Sequence, residues 1–195
     1  MRITGGAYRG RSIAAPPGPA TRPTADRARQ AVFNRLEHAA WSPGLAGARV
    51  IDLFAGSGAL GLEALSRGAV ACVFVETAEA ARAAIRENLE ALDPNGGLLG
   101  RSRILRRDAT APGDRSTAGF EPFVFAFLDP PYGRGLGASA LAALADGGWL
   151  SPGAICVVEQ GAGEPDAVVA GFQAIDARRY GAAKIQIMRW APGSA

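Results

Sequence analysis

Residues 50–61 read VIDLFAGSGALG, in which an apolar run is followed directly by a glycine-rich turn. The apolar run is predicted to form a strand, and the residues after the turn a helix. Gly56, Gly58 and Gly61 lie between them in the spacing G-x-G-x-x-G. Glycines in this context allow a tight turn and a close approach of the backbone to a ligand, and the following helix offers free N–H groups. The stretch therefore predicts a nucleotide-type binding loop within an α/β fold.

Strands and helices alternate along the rest of the chain. The predicted strands are 48–54, 69–76, 102–108, 123–129 and 154–160, with two more within 172–190 that are joined through Tyr180 and Gly181. The predicted helices are 58–68, 78–92 (capped by Thr77) and 137–149, and segments 94–100 and 111–119 are expected to be loops. Repeated β-α units predict an α/β fold with a doubly wound, mostly parallel seven-stranded sheet of the Rossmann-like type and an antiparallel hairpin at one edge.

The N-terminal segment carries most of the excess positive charge. Its first 35 residues contain seven arginines and a single acid, Asp26, although the net charge of the whole chain is only +3. Residues 2–13 predict a small hairpin and residues 14–24 a proline-rich connector. Thr24 is expected to cap a helix from about Ala25 to Ala39. A basic arm of this kind favours a polyanionic partner, with nucleic acid the first candidate.

The composition argues against several classes of protein. A chain of 195 residues with 48% hydrophobic residues can bury one sizeable core. No stretch approaches the ~20 apolar residues of a membrane helix, and the N-terminus lacks the apolar region of a signal peptide, so we expect a cytoplasmic protein without membrane contact. Cys72 and Cys156 lie in apolar runs, and His38 is the single histidine. This argues against a disulfide, a histidine metal site or a Ser-His-Asp triad, and no metal is expected.

Acidic residues are predicted at the carboxyl ends of the first three strands. Glu76 lies 20 residues after Gly56, where an acid can accept hydrogen bonds from both ribose hydroxyls. Asp108 is placed to meet an adenine amino group. Asp52 precedes the glycines, where a carboxylate suits a ligand with an ammonium or sulfonium group better than a pyrophosphate. The pattern favours S-adenosyl-L-methionine as the cofactor, and a nicotinamide dinucleotide used by a reductase is the alternative. The predicted cofactor-binding residues are Asp52, Phe54, Ala55, Gly56, Ser57, Gly58, Gly61, Glu76, Asp108 and Ala109.

Residues 123–135, FVFAFLDPPYGRG, end a predicted buried strand with an acid, two prolines and a tyrosine. Prolines donate no ladder hydrogen bond and fix φ, so Asp129 and Tyr132 are held on a rigid turn. The Asp129 carboxylate and the Pro130 carbonyl offer acceptors to both hydrogens of an amine, and Tyr132 offers a ring for stacking on a base. Asp129, Pro130, Pro131 and Tyr132 are the predicted catalytic residues. The tetrapeptide is similar to the [DN]-P-P-[YFW] motif of methyltransferases that act on exocyclic or amide nitrogens.

The chain as a whole resembles the RsmD-type small-subunit ribosomal RNA guanine-N2 methyltransferases, which are class I enzymes. The likeness rests on MRITGGAYRGRSI, TRPTADRARQAVFN, DLFAGSGALGLEALSRGA, VFVE, FLDPPYGRGL and YGAAKI. It implies transfer of a methyl group from S-adenosylmethionine to the exocyclic N2 amine of a guanine in 16S ribosomal RNA. A methyltransferase domain at residues 41–195 would follow an RNA-binding extension at residues 1–40. The predicted RNA-binding residues are Arg2, Tyr8, Arg9, Arg11, Arg22, Thr24, Arg27 and Arg29.

The partner that this resemblance implies is ribosomal RNA, within the small ribosomal subunit or an assembly intermediate, and we expect a monomer. Two alternatives remain open. The same tetrapeptide would serve a methyltransferase that acts on DNA adenine, another RNA or a protein glutamine. A non-catalytic nucleic acid-binding module that keeps the fold as a scaffold is the other, and loss of Asp52, Glu76 or Asp129 would have favoured it.

Overall fold

A computed structural model describes residues 1–15 and 23–193, and the side chains of residues 23–25 lie outside that description. The strands are β1 (Arg49–Leu53), β2 (Ala71–Val75), β3 (Ser102–Leu105), β4 (Phe123–Leu128), β5 (Leu150–Gly161), β6 (Phe172–Tyr180) and β7 (Ala183–Trp190). The helices are α1 (Pro23–His38), α2 (Ala59–Ser66), α3 (Glu79–Leu92), α4 (Gly97–Gly100), α5 (Arg115–Ala118) and α6 (Leu136–Asp146). Every strand and long helix predicted from the periodicity is present.

The strands form one sheet in the order β3-β2-β1-β4-β5-β7-β6. Neighbouring strands from β3 to β5 are parallel, and β7 pairs antiparallel with both β5 and β6. Tyr180 pairs with Ala183 across the turn of the terminal hairpin. These pairings confirm the predicted doubly wound, mostly parallel sheet. The strand order reverses between β1 and β4, and ligands of open α/β sheets bind at the carboxyl ends of the strands at such a switch point.

Apolar side chains cover both faces of the sheet. Successive residues of a strand point to opposite faces, so Val50 and Ile51 of β1 belong to different hydrophobic clusters. Helices α1, α2 and α3 contribute to the first cluster, where the rings of Phe33 and Phe127 stack with centroids 5.2 Å apart. Helix α6 buries Leu141 in the second cluster. Each such buried side chain contributes about 1.5–3 kcal/mol of transfer free energy, so both layers are held to the sheet mainly by apolar burial.

The N-terminal segment folds back on itself and lies against α2. Arg2 and Ser12 form one antiparallel bridge, so the predicted hairpin exists as a single bridge and not as two strands. The Ser66 hydroxyl of α2 donates to the Gly5 carbonyl at 2.6 Å and accepts the Tyr8 N–H at 3.0 Å. The segment is therefore fixed to α2 through its own backbone.

A buried carboxylate ties the same segment to α1 and α2. Glu63 is fully buried, and it accepts hydrogen bonds from the N–H and the hydroxyl of Thr4 at 2.8 and 2.7 Å. Its charge is balanced by Arg67 Nε at 2.7 Å and Arg29 Nε at 3.5 Å, as a buried charge requires. Residues from the first 40 thus share a core with the rest of the chain, and the predicted boundary after residue 40 stays a prediction about function.

Helix α1 starts earlier than predicted. It begins at Pro23, so Thr24 lies in its first turn and is not its cap. Proline suits a first turn because its missing N–H has no partner there in any case. The Thr24 side chain and all of Arg22 lie outside the described residues, and their contact with RNA stays a prediction.

Two other local predictions were wrong. The residue before α3 is Ala78 and not Thr77, and the Ala78 N–H donates to a Glu76 carboxylate oxygen at 2.8 Å. The acid at the end of β2 therefore serves the helix start that a threonine was expected to serve. Segments 94–100 and 111–119, predicted as loops, contain the short helices α4 and α5.

The cysteines and the histidine lie apart from the carboxyl ends of the strands. Cys72 and Cys156 are buried free thiols, one in each hydrophobic cluster. His38 is exposed in the last turn of α1. In the part of the chain that the structure describes, no three His, Cys, Asp or Glu side chains form a group that could hold a metal ion. Within the same residues, no helix is both long and apolar enough to cross a membrane.

Candidate active site

The loop from Phe54 to Gly58 connects β1 to α2 at the switch point of the sheet. Phe54 has a φ of 57° and is the one non-glycine residue with a positive φ among the described residues. Gly56 and Gly58 follow with φ values of 53° and 79°, a region that favours glycine. The backbone therefore turns sharply as it leaves β1, and α2 begins at Ala59.

Two of the predicted cofactor-binding glycines serve packing. A Cβ on Gly58 would lie 3.1 Å from the Ile85 side chain, and a Cβ on Gly61 would lie 2.4 Å from the Phe74 ring. Neither glycine lines the cavities at this end of the sheet, whereas Gly56 does. The first glycine of the motif therefore faces the cavity, and the other two let α2 approach its neighbours closely.

Two carboxylates hold this loop in place. Asp52 Oδ2 accepts the Gly61 N–H, and Glu76 Oε2 accepts the Gly56 N–H, each at 2.9 Å. Glu76 Oε1 also accepts the Ala78 N–H. Asp52 is fully buried, and desolvation raises its pKa well above the ordinary value while the Gly61 N–H opposes that rise. Both predicted acids therefore fix the backbone of the loop in addition to lining a cavity.

Two adjoining cavities lie at this end of the sheet, and Phe54 lines both. The first cavity has a volume of about 180 Å³ and the second about 240 Å³. Predicted residues that line the first cavity are Asp52, Phe54, Ala55, Gly56, Ser57 and Asp129. Predicted residues that line the second cavity are Phe54, Glu76, Asp108, Ala109 and Pro131. The structure thus brings together the acids of three strand ends and the proline turn.

Several lining residues were not predicted. Those of the first cavity include Met1, Val32, Leu60, Val157, Glu159 and Ile185, and those of the second include Arg107, Thr110, Arg134 and Leu136. The apolar ones carry no sequence signal that separates them from the core. Glu159 does carry a signal, because it is an acid that directly follows the apolar run 154–158 of β5.

Asp108 lies further from the sheet than predicted. Strand β3 ends at Leu105, so Asp108 follows it by three residues and is exposed. Its Oδ1 accepts the N–H and the hydroxyl of Thr110 at 2.8 and 2.7 Å. These hydrogen bonds lower its pKa, so Asp108 is a charged acceptor beside the buried Ala109.

The turn after β4 presents Asp129 at the first cavity and Pro131 at the second. Pro130 is buried, and Tyr132 is exposed with its hydroxyl donated to Glu159 Oε1. Asp129 is exposed at the first cavity, and the protein packed around it restricts the hydration of its carboxylate. Desolvation, with the nearby Glu159 carboxylate, raises the Asp129 pKa to about 7. Desolvation and the bond to Glu159 also raise the Tyr132 pKa, so its hydroxyl stays protonated.

The predicted RNA-binding residues divide into an exposed set and a buried one. Arg2, Arg9, Arg11 and Arg27 are exposed, and Tyr8 is half-buried. Arg29 is buried, which corrects the expectation that it faces a partner. Its guanidinium pairs with Asp26 at 3.0 Å and with Glu63 at 3.5 Å, and it lines the first cavity. The reason is helical spacing, because Arg29 lies three and four residues before Val32 and Phe33 on the apolar face of α1.

The acceptors and apolar side chains that line the two cavities fit S-adenosylmethionine. In the second cavity, Glu76 and Asp108 are acceptors for ribose hydroxyls and an adenine amine, and Val75, Ala109 and Leu136 offer apolar contact. In the first cavity, an ammonium group would favour the ionised form of Asp52 and so oppose the rise of its pKa on burial. The Gly56 conformation leaves the loop backbone open, since a Cβ there would meet only the Phe54 carbonyl at 3.9 Å.

The strand order, the glycine loop after β1 and the proline turn after β4 define the class I methyltransferase fold. Residues 1–189 match the family model described as "Conserved hypothetical protein 95", and the chain belongs to that family.

Its relatives include two proteins named "Ribosomal RNA small subunit methyltransferase D". The Escherichia coli protein is 38% identical over 160 residues, which are 82% of this chain and 74% of the relative. The Haemophilus influenzae protein is 32% identical over 164 residues, which are 82% of this chain and 78% of the relative. Among solved structures, the Escherichia coli protein yhhF matches with a TM-score of 0.80 and 33% identity over 98% of both chains.

Proposed function

We propose that this methyltransferase transfers the methyl group of S-adenosylmethionine to the exocyclic N2 amine of a guanine in small-subunit ribosomal RNA. Family membership and the names of its relatives support the class of enzyme and the class of substrate. The observation that carries the proposal is the Asp129 carboxylate. It lies at the switch point beside the glycine loop, and among the described residues it has no hydrogen-bond donor. An acceptor without a donor at this position suits an incoming amine.

The chain's own residues would hold the cofactor in both cavities. Glu76 would accept the ribose hydroxyls and Asp108 the adenine amine in the second cavity. Asp52 would face the amino acid end in the first, with Oδ1 available because Oδ2 already accepts the Gly61 N–H. When bound, S-adenosylmethionine supplies a methyl group on a positively charged sulfur.

The proline turn would orient the target amine. The lone pair of a guanine amine is delocalised into the ring, so the nitrogen is a poor nucleophile until its hydrogens are held. The Asp129 carboxylate and the Pro130 carbonyl would accept these hydrogens, which aims the lone pair and stabilises the positive charge that develops on nitrogen. A carboxylate with a pKa of about 7 can also take the proton that the amine must lose. Tyr132 would stack on the extruded base, a contact of ~1–3 kcal/mol in comparable cases.

The exposed arginines of the N-terminal segment would contact the RNA. Arg2, Arg9, Arg11 and Arg27 are exposed positive charges of the N-terminal segment and α1, and Met1 and Val32 of the same two elements line the first cavity. We propose that the RNA is presented in the small subunit or an assembly intermediate, and that the enzyme acts as a monomer. Of the large apolar side chains described, Val70, Tyr132 and Val168 are the exposed ones, and three separate side chains make no large apolar patch.

The test is a transfer of labelled methyl groups. The protein is incubated with methyl-labelled S-adenosylmethionine and either unmodified small subunits or their stripped RNA, and the RNA is digested to nucleosides. The proposal expects the label in N2-methylguanosine, and a preference between the two substrates shows whether ribosomal proteins help to form the site. Label in another nucleoside would overturn the guanine assignment, and cofactor binding without any label would favour a non-catalytic module.

A further inference from the structure

Glu159 and Asp129 are neighbours on adjacent parallel strands. Leu128 of β4 is in register with Val158 of β5, so the residue that follows each lies beside the other. Phe127 and Val157, one step before that pair, lie in the same hydrophobic cluster. Because side chains alternate along a strand, Asp129 and Glu159 face the same side of the sheet as that cluster. Both line the first cavity.

The two carboxylates are close enough to interact. Glu159 is a cause of the raised Asp129 pKa, second to desolvation. Two like charges at the mouth of one cavity destabilise each other unless a ligand supplies donors for both. Glu159 Oε1 accepts the Tyr132 hydroxyl, and Oε2 remains as a second acceptor. Holding the tyrosine requires only one neutral acceptor, which a glutamine would supply without this repulsion.

Guanine offers two neighbouring donors on one edge. Its N1–H lies directly beside its N2 amine, whereas adenine has an acceptor at N1. A pair of carboxylates, which only accept hydrogen bonds, matches the two adjacent hydrogen-bond donors N1–H and N2–H of guanine. The same pair would repel a base whose N1 carries a lone pair, because an ionised carboxylate has no hydrogen to donate.

We propose that Glu159 accepts the N1–H of the target guanine while Asp129 accepts the N2 amine, which makes Glu159 the residue that selects guanine. This inference rests on the proposed function. The Tyr132 hydroxyl fixes one oxygen of Glu159, which leaves the other for the base. Asp129 then serves the reacting nitrogen, and Glu159 reads the atom next to it.

The test compares guanine with 2-aminopurine, which keeps the 2-amine but has an acceptor at N1. Small-subunit RNA is ligated from two pieces, so that the position methylated in the nucleoside assay holds either guanine or 2-aminopurine. The kcat/KM for methyl transfer is then measured for each RNA. Wild-type protein is expected to prefer guanine by about tenfold or more, since a site built for a donor rejects an analogue that lacks it. Glu159→Gln is expected to lose activity on guanine and to bring the preference close to one, because its amide can donate to N1.

Tyr132→Phe is the matched control, because it removes the bond to Glu159 but keeps the carboxylate. It is expected to keep the guanine preference even where its activity falls. The missing O6 of 2-aminopurine affects all three proteins alike and cancels in the comparison. Equal losses on both bases in Glu159→Gln, at unchanged S-adenosylmethionine affinity, would overturn the inference and leave Glu159 as an anchor for Tyr132. Failure of the proposed function is distinct, because wild-type protein would then give no N2-methylguanosine.

Discussion

The glycine loop and the proline turn lie at the same end of the sheet, and their carboxylates differ in their partners. Asp52 and Glu76 accept backbone N–H groups at 2.8–2.9 Å. Among the described residues, the Asp129 carboxylate has no hydrogen-bond donor, and desolvation and Glu159 raise its pKa. An acid that accepts backbone N–H groups fixes the shape of the loop as well as offering an acceptor to a ligand, and an acid without such donors is set by the ligand alone. We infer that the folded chain itself fixes the cofactor-binding part of the site, which is the glycine loop with Asp52 and Glu76. The hydrogen bonds of the reacting part, which is the proline turn with Asp129, form only when the substrate binds.

Asp129→Ala is expected to have the largest effect, and to affect the reacting part of the site but not cofactor binding. Methyl transfer at saturating substrates should slow by about 10²–10³-fold, the cost of removing one preorganised group in comparable sites. The dissociation constant for S-adenosylmethionine should stay near the wild-type value, because the cofactor-side acids keep their partners. Single-turnover transfer to small subunits and calorimetry of cofactor binding measure the two quantities.

Asp129→Asn is the matched control, because its amide carbonyl still accepts one hydrogen. It should retain more activity than the alanine variant. Equal loss of cofactor affinity and of rate in Asp129→Ala would place Asp129 in cofactor binding and contradict the division between the two parts of the site.

Glu76→Ala is expected to have the converse effect, which is a loss of cofactor affinity with little loss of rate. Affinity for S-adenosylmethionine should fall about 10–100-fold, because hydrogen bonds to a charged group contribute about 1.5–3 kcal/mol and the loop N–H of Gly56 also loses its acceptor. The rate at saturating cofactor should change much less than the affinity. Glu79→Ala, an exposed acid in the first turn of α3, is the control and should bind normally. Normal cofactor affinity in Glu76→Ala would contradict this prediction.

The pH dependence sharpens the comparison through the Asp129 pKa of about 7. The rate should rise with pH by up to ~10-fold per unit below that pKa, because only the ionised carboxylate can accept both amine hydrogens and take the proton that the amine loses. Glu159→Gln should move the inflection to lower pH, since it removes a neighbouring charge. A rate that stays flat between pH 6 and pH 8 in the wild-type protein would exclude Asp129 as the titrating group, with the range chosen to bracket that pKa.

The contribution of Asp129 to the free energy of unfolding should fall as pH rises, whereas the rate should increase. A folded pKa above the ordinary value of about 4 means that the native state binds the proton more tightly than the unfolded state. The contribution of Asp129 to the free energy of unfolding is therefore fully present below that ordinary value and is lost as pH rises to about 7. Urea unfolding of wild type against Asp129→Asn across this window measures it. A difference that does not vary with pH would contradict the raised pKa.

The smallest effect is expected in the N-terminal segment, which contains neither the glycine loop nor the proline turn. Arg9→Ala should weaken RNA binding a few-fold and reduce the salt slope by about one, the signature of one lost phosphate contact. The double change with Arg11→Ala should reduce it further, and cofactor affinity should not change. Arg103→Ala, also exposed but at the amino end of β3, is the control. An unaltered salt slope in the double variant would remove these arginines from the RNA surface.

The sheet and the acids at its carboxyl edge were predictable because both follow from short-range patterns. Apolar runs predict strands, and parallel strands bring their carboxyl ends to one edge, which is how Asp52, Glu76 and Asp129 could be placed together. Helix ends were less predictable, because Glu76 competes with Thr77 for the start of α3 and such competition depends on the folded backbone.

Arg29 and Glu159 show why other parts of the site were missed. The spacing that puts Arg29 on the apolar face of α1 is visible in the sequence, but its partner Glu63 lies on another helix. Glu159 gains its role only from register with Asp129 and from the reach of Tyr132 across the turn. Long-range charge pairs and cross-strand neighbours are properties of the fold, and a single sequence does not state them.

Phe54 combines an unfavourable backbone conformation with a side chain that lines both cavities. Its left-handed backbone is unfavourable by about 1–2 kcal/mol for a residue with a Cβ, a cost that the packing of its side chain against the second hydrophobic cluster offsets. Phe54→Gly would relieve the backbone but remove the side chain that lines both cavities, and S-adenosylmethionine would lose a contact between its adenosine end and its amino acid end. Selection for a relaxed backbone at this position would thus remove a wall of the cofactor site, a trade-off expected where a strained residue serves function.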